Sequence, residues 1–259
     1  MTNEHGNGNG HHSTSLKGKV ALVTGGARGI GRAIALNFAE CGASVAVNYL
    51  TSKSDAEVLA AEIQDMGVSC ILVPGDVAVK GEARKVVQAV LDELKRLDIL
   101  VNNAGITRDK SIRKMADDDW VDVINVNLNG TFYCTSAALP GMIEQKFGRI
   151  INIASYVGQA GSFGQANYAA SKGGIIAFTR ALAFEMAKYN VTANCIAPGY
   201  TCTEMMAKIP PAVLEQIRSK IPMGRFANPV EIAKAATFLA ADGDYITGQQ
   251  LNINGGIYM

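Results

Sequence analysis

The residues with the clearest chemical potential in this sequence are Tyr168 and Lys172, which stand four positions apart. On a helix that spacing places both side chains on one face, with their Cβ atoms about 5–6 Å apart. A cation beside a phenol favours the phenolate, so we expect Lys172 to lower the pKa of Tyr168 towards the working pH. Tyr168 is then suited to donate a proton to a carbonyl oxygen during reduction.

Two further polar residues can complete such a site. Ser155 stands thirteen positions before Tyr168, at the end of a predicted strand, where its hydroxyl can donate to the same oxygen. Asn127 lies within a predicted long helix among other asparagines, which are poor helix formers unless they serve a local polar purpose. The alternative interpretation of Ser155 is a turn residue, and that of Asn127 is a helix cap or a helix kink.

Histidine is confined to the start of the chain, where His5, His11 and His12 lie among glycine and asparagine. The rest of the chain therefore offers no imidazole for a catalytic triad or a metal site, and we predict no bound metal. Residues 1–15 contain too few apolar side chains to offset the entropy of ordering and are predicted to form a disordered tail.

A glycine-rich segment follows the first predicted strand, residues 19–24, and opens the first predicted helix. Glycines here permit a tight turn and a close approach of backbone N–H groups to a phosphate at the helix N-terminus. The segment predicts a dinucleotide site, although a turn without a ligand is the alternative. Its candidate cofactor-binding residues are Gly25, Arg28, Gly29, Ile30 and Gly31.

The end of the second predicted strand bears on the choice of nucleotide. A site for NAD usually has an acidic residue there to bind the ribose hydroxyls, but this sequence has Asn48. Without a carboxylate to repel a 2′-phosphate, and with Arg28 available to pair with one, the sequence favours NADPH. Asn48 can also hydrogen-bond an unphosphorylated ribose, so NADH remains open.

Short polar or glycine-containing segments follow three other predicted strands. In a doubly wound sheet the ligand lies at the carboxyl ends of the strands, so we assign these loops to cofactor binding, with turn formation as the alternative. The residues are Asp76, Val77, Asn103, Ala104, Gly105, Pro198 and Gly199.

Apolar runs and helical patterns alternate along residues 16–259. The runs lack a polar-apolar alternation, which indicates strands covered on both faces. We predict an α/β protein with one Rossmann-type domain, a doubly wound parallel sheet of about seven strands and helices on both faces. The predicted strands are 19–24, 44–49, 70–74, 98–102, 149–153, 192–196 and 249–253, and the predicted helices 29–41, 52–66, 81–94, 120–145 and 167–188.

Composition limits the class of protein and its partners. The chain has 259 residues, 48% hydrophobic, and a net charge of +1. This describes a globular domain with a full core, and it argues against nucleic acid or an anionic membrane as the main partner. No apolar stretch is long enough for a membrane span and no secretion signal opens the chain, so we expect a cytoplasmic location.

These segments together resemble the short-chain dehydrogenase/reductase family over the chain from about residue 16 to its end. By this resemblance Tyr168 is the acid, Ser155 polarises the carbonyl, Lys172 binds the nicotinamide ribose, and Asn127 anchors a water relay. The resemblance also implies a homotetramer. The matching residues are Thr24, Gly25, Gly29, Gly31, Asp76, Val77, Asn102 to Gly105, Asn127, Ser155, Tyr168, Lys172, Pro198 and Gly199.

Within that family, residues 103–109, 163–168 and 198–200 are similar to β-ketoacyl thioester reductases, and 245–259 resembles acetoacetyl-CoA reductases of polyhydroxybutyrate synthesis. The implied reaction is NAD(P)H-dependent reduction of acetoacetyl-CoA to (R)-3-hydroxybutyryl-CoA. By the same resemblance, the substrate is bound by Ser155, Phe163, Gln165, Tyr168 and Tyr200.

The main alternative is reduction of a 3-oxoacyl group on acyl carrier protein. Carrier-protein enzymes tend to present basic residues beside the site; Lys146 fits one such place, but Tyr189 occupies another. A basic cluster, which we call the basic segment, can meet either CoA phosphates or the carrier, with a plain solvated loop as the alternative interpretation. It consists of Arg108, Lys110, Arg113 and Lys114.

Less favoured alternatives are a sugar or polyol dehydrogenase and a non-catalytic nucleotide-binding protein. Residues 201–223, which contain three prolines, interrupt the strand-helix rhythm. We predict a mobile substrate lid there, with a static helical pair as the alternative.

Overall fold

The protein contains one seven-stranded parallel sheet, in the order β3-β2-β1-β4-β5-β6-β7. It is described here from a computed structural model, which covers residues 15–203 and 210–259. The order reverses between β1 and β4, and this is the switch point at which ligands bind in doubly wound sheets. The strands are β1 Val20–Val23, β2 Ser44–Tyr49, β3 Cys70–Pro74, β4 Ile99–Asn102, β5 Gly148–Ile153, β6 Val191–Pro198 and β7 Gln250–Ile253.

Helices cover both faces of the sheet, as predicted for a Rossmann-type fold. Those that pack into the core on one face are α1, α2 and α9, and those on the other face include α3, α5 and α7. The helices are α1 Gly29–Glu40, α2 Lys53–Asp65, α3 Lys80–Leu94, α4 Asp117–Val123, α5 Gly130–Glu144, α6 Val157–Ala160, α7 Ala166–Met186, α8 Pro211–Arg218 and α9 Pro229–Ala241.

The apolar runs form strands because both of their faces are buried. In β1, Ala21 and Val23 pack into one cluster, while Val20 and Leu22 pack into the cluster on the opposite face. Successive side chains of a strand point to opposite faces, so a strand between two helical layers is mostly apolar and its few polar side chains are buried as well.

The prediction of one continuous α-helix over 120–145 is wrong for the middle of this segment. The structure divides it into α4, a π-helical turn at Ile124–Asn129, and α5. At the end of this turn the Gly130 N–H donates to the Asn125 carbonyl, five residues earlier, and the Thr131 hydroxyl donates to the Asn127 carbonyl over 2.7 Å. The wider turn accommodates the extra residue, and turns of this kind are frequent at functional sites.

Helix α9 was not among the predicted elements, although its start has a clear local signature. Asn228 accepts from the Val230 N–H over 3.0 Å, and Glu231 accepts from the Asn228 N–H over 2.8 Å. Pro229 occupies the first helical position, where its missing N–H costs nothing.

A buried polar ladder links the carboxyl ends of the two central strands β4 and β5. Asn102 lies opposite Asn152 in the register and donates to its side-chain carbonyl over 2.8 Å. Asn102 also donates to Thr135 of α5 over 3.0 Å, and Asn152 donates to Thr179 of α7 over 2.9 Å. The ladder therefore fixes both helices against the strands immediately below the predicted catalytic residues.

Two of the predictions fall partly outside the described residues. The predicted tail at 1–15 lies there except for Ser15, and so does 204–209 within the predicted lid. In the remainder of the lid segment, α8 has no buried residue. Within the described ranges, no helix combines the length and the apolar character that a membrane span requires.

Candidate active site

The glycine-rich loop between β1 and α1 has the conformation that its sequence predicts. Gly25 and Gly29 have φ values of +58° and +55°, a region that favours glycine. A Cβ at Gly31 would lie 2.5 Å from both the Gly25 carbonyl oxygen and Asn103 Nδ2. The loop therefore packs directly on the loop that follows β4, and no side chain fits between them.

Asn103 and Thr24 hold these two loops together. Asn103 Nδ2 donates to the Thr24 and Gly25 carbonyls over 2.9 and 3.0 Å. The Thr24 hydroxyl accepts from the backbone N–H groups of Asn103 and Ala104 over 3.0 and 3.1 Å. Asn103 and Ala104 thus shape the glycine-rich loop, and their predicted contact with a cofactor remains a prediction.

Asn48 links the glycine-rich loop to the end of β3. Its side chain is buried, accepts from the Gly25 N–H over 3.3 Å and donates to the Val73 and Gly75 carbonyls over 3.1 and 3.0 Å. Both amide hydrogens and the amide oxygen are therefore engaged within the protein. The predicted contact of Asn48 with a cofactor remains a prediction.

The start of α1 is suited to a phosphate. Arg28 is its N-cap residue, no side chain caps the helix there, and the first turn carries no acidic residue. The side chain of Ile30 packs against the core, which leaves only the backbone of that residue at the helix start. Uncapped N–H groups and the positive end of the helix dipole favour an anion at this position, so these residues fit the pyrophosphate of a dinucleotide.

The guanidinium of Arg28 lies beside an acidic residue of α2. Its Nε is 3.7 Å from Asp55 Oδ2, and both side chains are about half exposed, at 54% and 48%. A phosphate that binds Arg28 would therefore have to compete with, or displace, the carboxylate of Asp55.

The remaining predicted cofactor residues lie in loops along the same edge of the sheet. Asp76 follows β3 and caps its own turn through a bond from the Ala78 N–H of 2.9 Å, while Val77 is buried against Gly130. Pro198 ends β6, and a Cβ at Gly199 would lie 2.8 Å from Asn254 Cα. The structure thus brings these loops to the carboxyl edge, as the sequence predicts.

Ser155, Tyr168 and Lys172 converge at this edge. Ser155 follows β5, and Tyr168 and Lys172 lie in the first two turns of α7. Lys172 is almost fully buried, its Nζ donates to the Ile153 carbonyl over 2.7 Å and lies 5.6 Å from the centre of the Tyr168 ring. A Cβ at Gly105 would lie 3.5 Å from the same Nζ, so the loop after β4 closes over the lysine.

The expectation that Lys172 lowers the pKa of Tyr168 is not met. Burial raises the pKa of Tyr168; a hydrogen bond with the Ser155 hydroxyl lowers it in part, and the charge of Asp109 raises it further. Burial also lowers the pKa of Lys172 to about 8. Burial of the phenol is the largest of the causes that act on Tyr168, and the lysine ammonium donates to a backbone carbonyl. A neutral phenol is the form required to donate a proton.

Asn127 is fully buried in the π-helical turn. Its Oδ1 accepts from the Ile106 N–H over 2.8 Å, and its Nδ2 donates to the Ile106 carbonyl and to Ser171 Oγ over 3.1 and 3.0 Å. The amide therefore fixes the loop after β4 to α7, one residue from Lys172. Its implied role in a water relay remains a prediction.

Two residues that shape the site were not singled out from the sequence. Asn167 is fully buried, accepts from the Tyr168 N–H over 2.8 Å and donates to the Arg108 carbonyl over 3.1 Å. Asp109 accepts from Gln165 Nε2 over 3.0 Å, and burial raises the pKa of Asp109. The contact of Asn167 with Arg108 spans 59 positions and that of Gln165 with Asp109 spans 56, so no local pattern reveals these two contacts.

The predicted substrate residues differ in their surroundings. Gln165 donates to Asp109, whose charge acts on Tyr168, and Phe163 is 94% exposed. Tyr200 lines a cavity of about 460 Å³ together with C-terminal residues that include Arg225 and Tyr258. Their predicted contact with a substrate remains a prediction.

The basic residues weighed for carrier recognition occupy two different places. Lys146 and Tyr189 precede β5 and β6, so they lie at the amino ends of the strands, away from the site. The interpretation of Lys146 as a neighbour of the site is therefore wrong for a single chain. The basic segment is different: it lies at the catalytic edge, where the Lys110 N–H donates to the Gly164 carbonyl over 2.8 Å.

Among residues 15–203 and 210–259, no group of three His, Cys, Asp or Glu side chains could hold a metal ion. The chemistry that this arrangement supports is proton donation to a carbonyl by Tyr168, with Ser155 beside it. The glycine-rich loop next to it has the form of a dinucleotide site.

Comparison with known proteins agrees with this geometry. A sequence model of the family described as short chain dehydrogenase matches residues 19–213. A 3-oxoacyl-(acyl-carrier-protein) reductase of Staphylococcus aureus is 45% identical over 242 residues, 93% of this chain and 98% of the relative.

Two proteins of the same name come from other bacteria. The relative from a Synechocystis species is 46% identical over 248 residues, 95% of this chain and 99% of the relative. The relative from Pseudomonas aeruginosa is 46% identical over 246 residues, with coverage of 95% and 99%. The chain therefore belongs to the short chain dehydrogenase family and is an oxidoreductase of β-ketoacyl reductase type.

Proposed function

We propose that the protein reduces 3-oxoacyl thioesters carried by acyl carrier protein, with NADPH as the hydride source. The observation that carries this proposal is the convergence of Ser155, Tyr168 and Lys172 beside the glycine-rich loop, in a chain whose relatives are named for that substrate. The relatives favour the carrier-protein alternative over acetoacetyl-CoA, which the sequence resemblance places first.

In the proposed reaction the substrate ketone oxygen lies between Ser155 and Tyr168. Both hydroxyls donate hydrogen bonds to it, which polarises the carbonyl and stabilises negative charge on the oxygen. Tyr168 then gives its proton to this oxygen, and its raised pKa keeps it protonated until that step. Reduced nicotinamide would supply the hydride to the carbonyl carbon, so that an alcohol and the oxidised nucleotide are the products.

Lys172 stabilises the phenolate that remains after proton transfer. Its pKa of about 8 leaves much of it protonated at neutral pH, and its charge lies on the same helix face as the phenol. We assign the nicotinamide ribose to Lys172 and Tyr168, and the nicotinamide to the loop after β6. We assign the adenosine and pyrophosphate to the loops after β1, β3 and β4.

The proposal of NADPH rests on Arg28 and on position 48, where the chain has Asn48 and not an acidic residue. A 2′-phosphate beside the start of α1 would pair with the Arg28 guanidinium, because a guanidinium can donate two hydrogen bonds to the oxygens of one phosphate. NADH is the alternative, and the two are compared in the experiment below.

The basic segment supports a carrier protein as partner. It lies at the catalytic edge, and its four cationic side chains are exposed. Acyl carrier proteins are acidic, so a basic surface beside the site would steer them towards it. CoA phosphates are the alternative partners of the same side chains.

We also propose a homotetramer, and a cytoplasmic location. Aromatic side chains are exposed on three helices: Phe132 on α5 is 50% exposed, Phe184 on α7 is 89% and Phe238 on α9 is 46%. Exposed aromatic groups of this size favour association between chains. Light scattering coupled to gel filtration measures the number of subunits, and a monomer would contradict the proposal.

The function is tested by following nucleotide absorbance with acetoacetyl-carrier protein and acetoacetyl-CoA, each with NADPH and with NADH. We expect the highest kcat/KM with the carrier-protein substrate and NADPH. Replacing Arg113 and Lys114 by glutamate should reduce kcat/KM for the carrier protein more than for S-acetoacetyl-N-acetylcysteamine, a thioester that lacks both carriers.

Tyr168→Phe is the matched catalytic control. It should lose reduction with every substrate, by about 10²–10⁴-fold, while it retains nucleotide binding. A wild-type enzyme that reduces neither thioester, or prefers a polyol, would overturn the proposal. Higher kcat/KM with acetoacetyl-CoA than with the carrier-protein substrate would favour the alternative function, reduction of acetoacetyl-CoA.

A further inference from the structure

Tyr156 is the residue directly after Ser155, and no role described above uses it. Its backbone N–H donates to the Pro198 carbonyl over 3.1 Å, which links the loop after β5 to the end of β6. Its ring lies 5.7 Å from that of Tyr200, centre to centre, at an interplanar angle of 51°. On its other side, Tyr200 packs edge-on against Phe226 at 6.4 Å. Two phenols are therefore held together beside the catalytic edge.

The pKa of Tyr156 reflects its burial and its two neighbouring phenols. Burial raises the pKa of Tyr156, a side-chain hydrogen bond with Tyr200 raises it further, and the neighbouring Tyr168 adds to the effect. Tyr156 thus stays a neutral phenol and lies within electrostatic reach of the catalytic hydroxyl. Each phenol can donate once, so a pair that shares one hydrogen bond retains one O–H to donate to a ligand.

The substrate class of the proposed function presents an acceptor for this O–H. A 3-oxoacyl thioester has two carbonyls, the ketone that is reduced and the thioester carbonyl two carbons away. Ser155 and Tyr168 are occupied by the ketone oxygen. The second oxygen must then lie close to the catalytic pair, and it needs a donor once the site excludes water.

We propose that Tyr156 and Tyr200 form a hydroxyl pair that selects 3-oxoacyl thioesters by binding the thioester carbonyl oxygen. Tyr200, which also lines the adjoining cavity, donates to that oxygen, and Tyr156 donates to Tyr200 and holds it in place. Tyr156 is therefore a positioning residue. This inference rests on the proposed function and adds the group by which the enzyme distinguishes a 1,3-dicarbonyl from a simple ketone.

The test compares two substrates that differ only at the second carbonyl. One is S-acetoacetyl-N-acetylcysteamine. The other is S-(3-oxobutyl)-N-acetylcysteamine, a thioether with the same ketone and a CH₂ in place of the thioester carbonyl. Both contain only the thiol portion common to CoA and carrier protein. The variants are Tyr156→Phe and Tyr200→Phe, with Tyr245→Phe, which removes the hydroxyl of a fully exposed tyrosine, as the matched control.

We expect each variant of the pair to lower kcat/KM for the thioester by about three- to tenfold, and to leave kcat/KM for the thioether within about twofold of wild type. Tyr245→Phe should change neither. Because the two hydroxyls act as a unit, Tyr156→Phe/Tyr200→Phe should lose little more than the worse single variant. With acetoacetyl-CoA the loss should appear mainly in KM.

Equal losses of kcat/KM on the two substrates would show a structural role and overturn the inference. It would also be overturned if the variants kept full kcat/KM with the thioester, or if the losses of the single variants multiplied in the double variant. Thermal unfolding of each variant accompanies the kinetics, but the ratio between the two substrates does not depend on the amount of folded enzyme. If the wild type reduces the thioester and this ratio is unchanged, the inference alone fails. If the wild type reduces no thioester, the proposed function fails and the inference with it.

Discussion

Alanine at Gly31 provides a stringent test of how the glycine-rich loop is built. The added Cβ would lie 2.5 Å from the Gly25 carbonyl oxygen and from Asn103 Nδ2, and 3.0 Å from Gly26 Cα. Two of these three neighbours are backbone atoms of the phosphate-binding turn. Ordinary contacts begin at 3.4 Å, so the turn must move by roughly 1 Å to admit the methyl group.

The expected effect combines two opposing contributions. Overpacking of this kind costs about 1–3 kcal/mol, while replacing a helical glycine by alanine gains up to about 1 kcal/mol. We expect Gly31→Ala to reduce the free energy of unfolding by about 1–2 kcal/mol. A displacement of about 1 Å also lowers kcat/KM by up to about 100-fold, since the loop that binds the nucleotide has moved.

Gly81→Ala is the matched control, because Gly81 also lies in the first turn of a helix and a Cβ there would meet no atom within 4 Å. This variant should gain a few tenths to about 1 kcal/mol and keep full activity. Urea unfolding measures the stability, and titration calorimetry with NADPH and NADH measures nucleotide binding. Equal stabilisation by both substitutions, with unchanged nucleotide binding in Gly31→Ala, would refute the reasoning.

Three further predictions concern charges at the site. Lys172 has a pKa of about 8 in the folded protein against 10.5 when exposed, so the folded state binds fewer protons than the unfolded state between these pH values. The free energy of unfolding of the wild type should therefore rise by about 3 kcal/mol relative to that of Lys172→Met from pH 8 to 10.5. Chemical denaturation that shows no such rise would contradict this prediction. Asp109→Asn removes a charge that raises the pKa of Tyr168, so the alkaline limb of the pH profile of kcat/KM should move to lower pH; a shift to higher pH would show that the carboxylate acts otherwise. Arg28→Ala should weaken the binding of NADPH more than that of NADH in calorimetry. Asp55→Asn, which removes the competing carboxylate, should strengthen the binding of NADPH. An unchanged ratio of the NADPH and NADH affinities in both variants would exclude a 2′-phosphate from this position.

The elements that could be predicted are those whose signal is local. All seven strands were predicted, and in β1, β4, β5 and β6 every residue is buried, whereas β7 has no buried residue. The spacing of Tyr168 and Lys172 predicted a shared helix face. Helix α9 was missed although Asn228, Pro229 and Glu231 carry a local start signal. The π-helical turn has no comparable signature, because its extra residue is accommodated by contacts of Asn127 with segments distant in sequence.

What could not be predicted depends on burial and on distant partners. The pKa of Tyr168 departs from expectation because burial of the phenol is the largest cause of its shift, and desolvation is a property of the packed structure. The three hydrogen bonds of Asn48 within the protein could not be foreseen either, because their partners are more than 20 residues away in sequence. The position of Lys146 follows from topology: a loop that precedes a strand lies at the opposite end of a parallel sheet from one that follows it.

The polar ladder between Asn102 and Asn152 has a consequence for how the sheet assembles. Strands that are apolar on both faces lack an alternating pattern, so hydrophobicity alone does not specify how far one slides along the next. A slip of one residue would set each buried amide against a hydrocarbon neighbour and leave its hydrogen bonds unmade, a cost of about 1–3 kcal/mol for each orphaned group. Because Ser155 follows Asn152 by three residues and Gly105 follows Asn102 by three, the same pairing aligns the two loops that carry them. The hydrogen bond between these two asparagines thus favours one register of β4 and β5 during folding, and with it one relative position of the two catalytic loops.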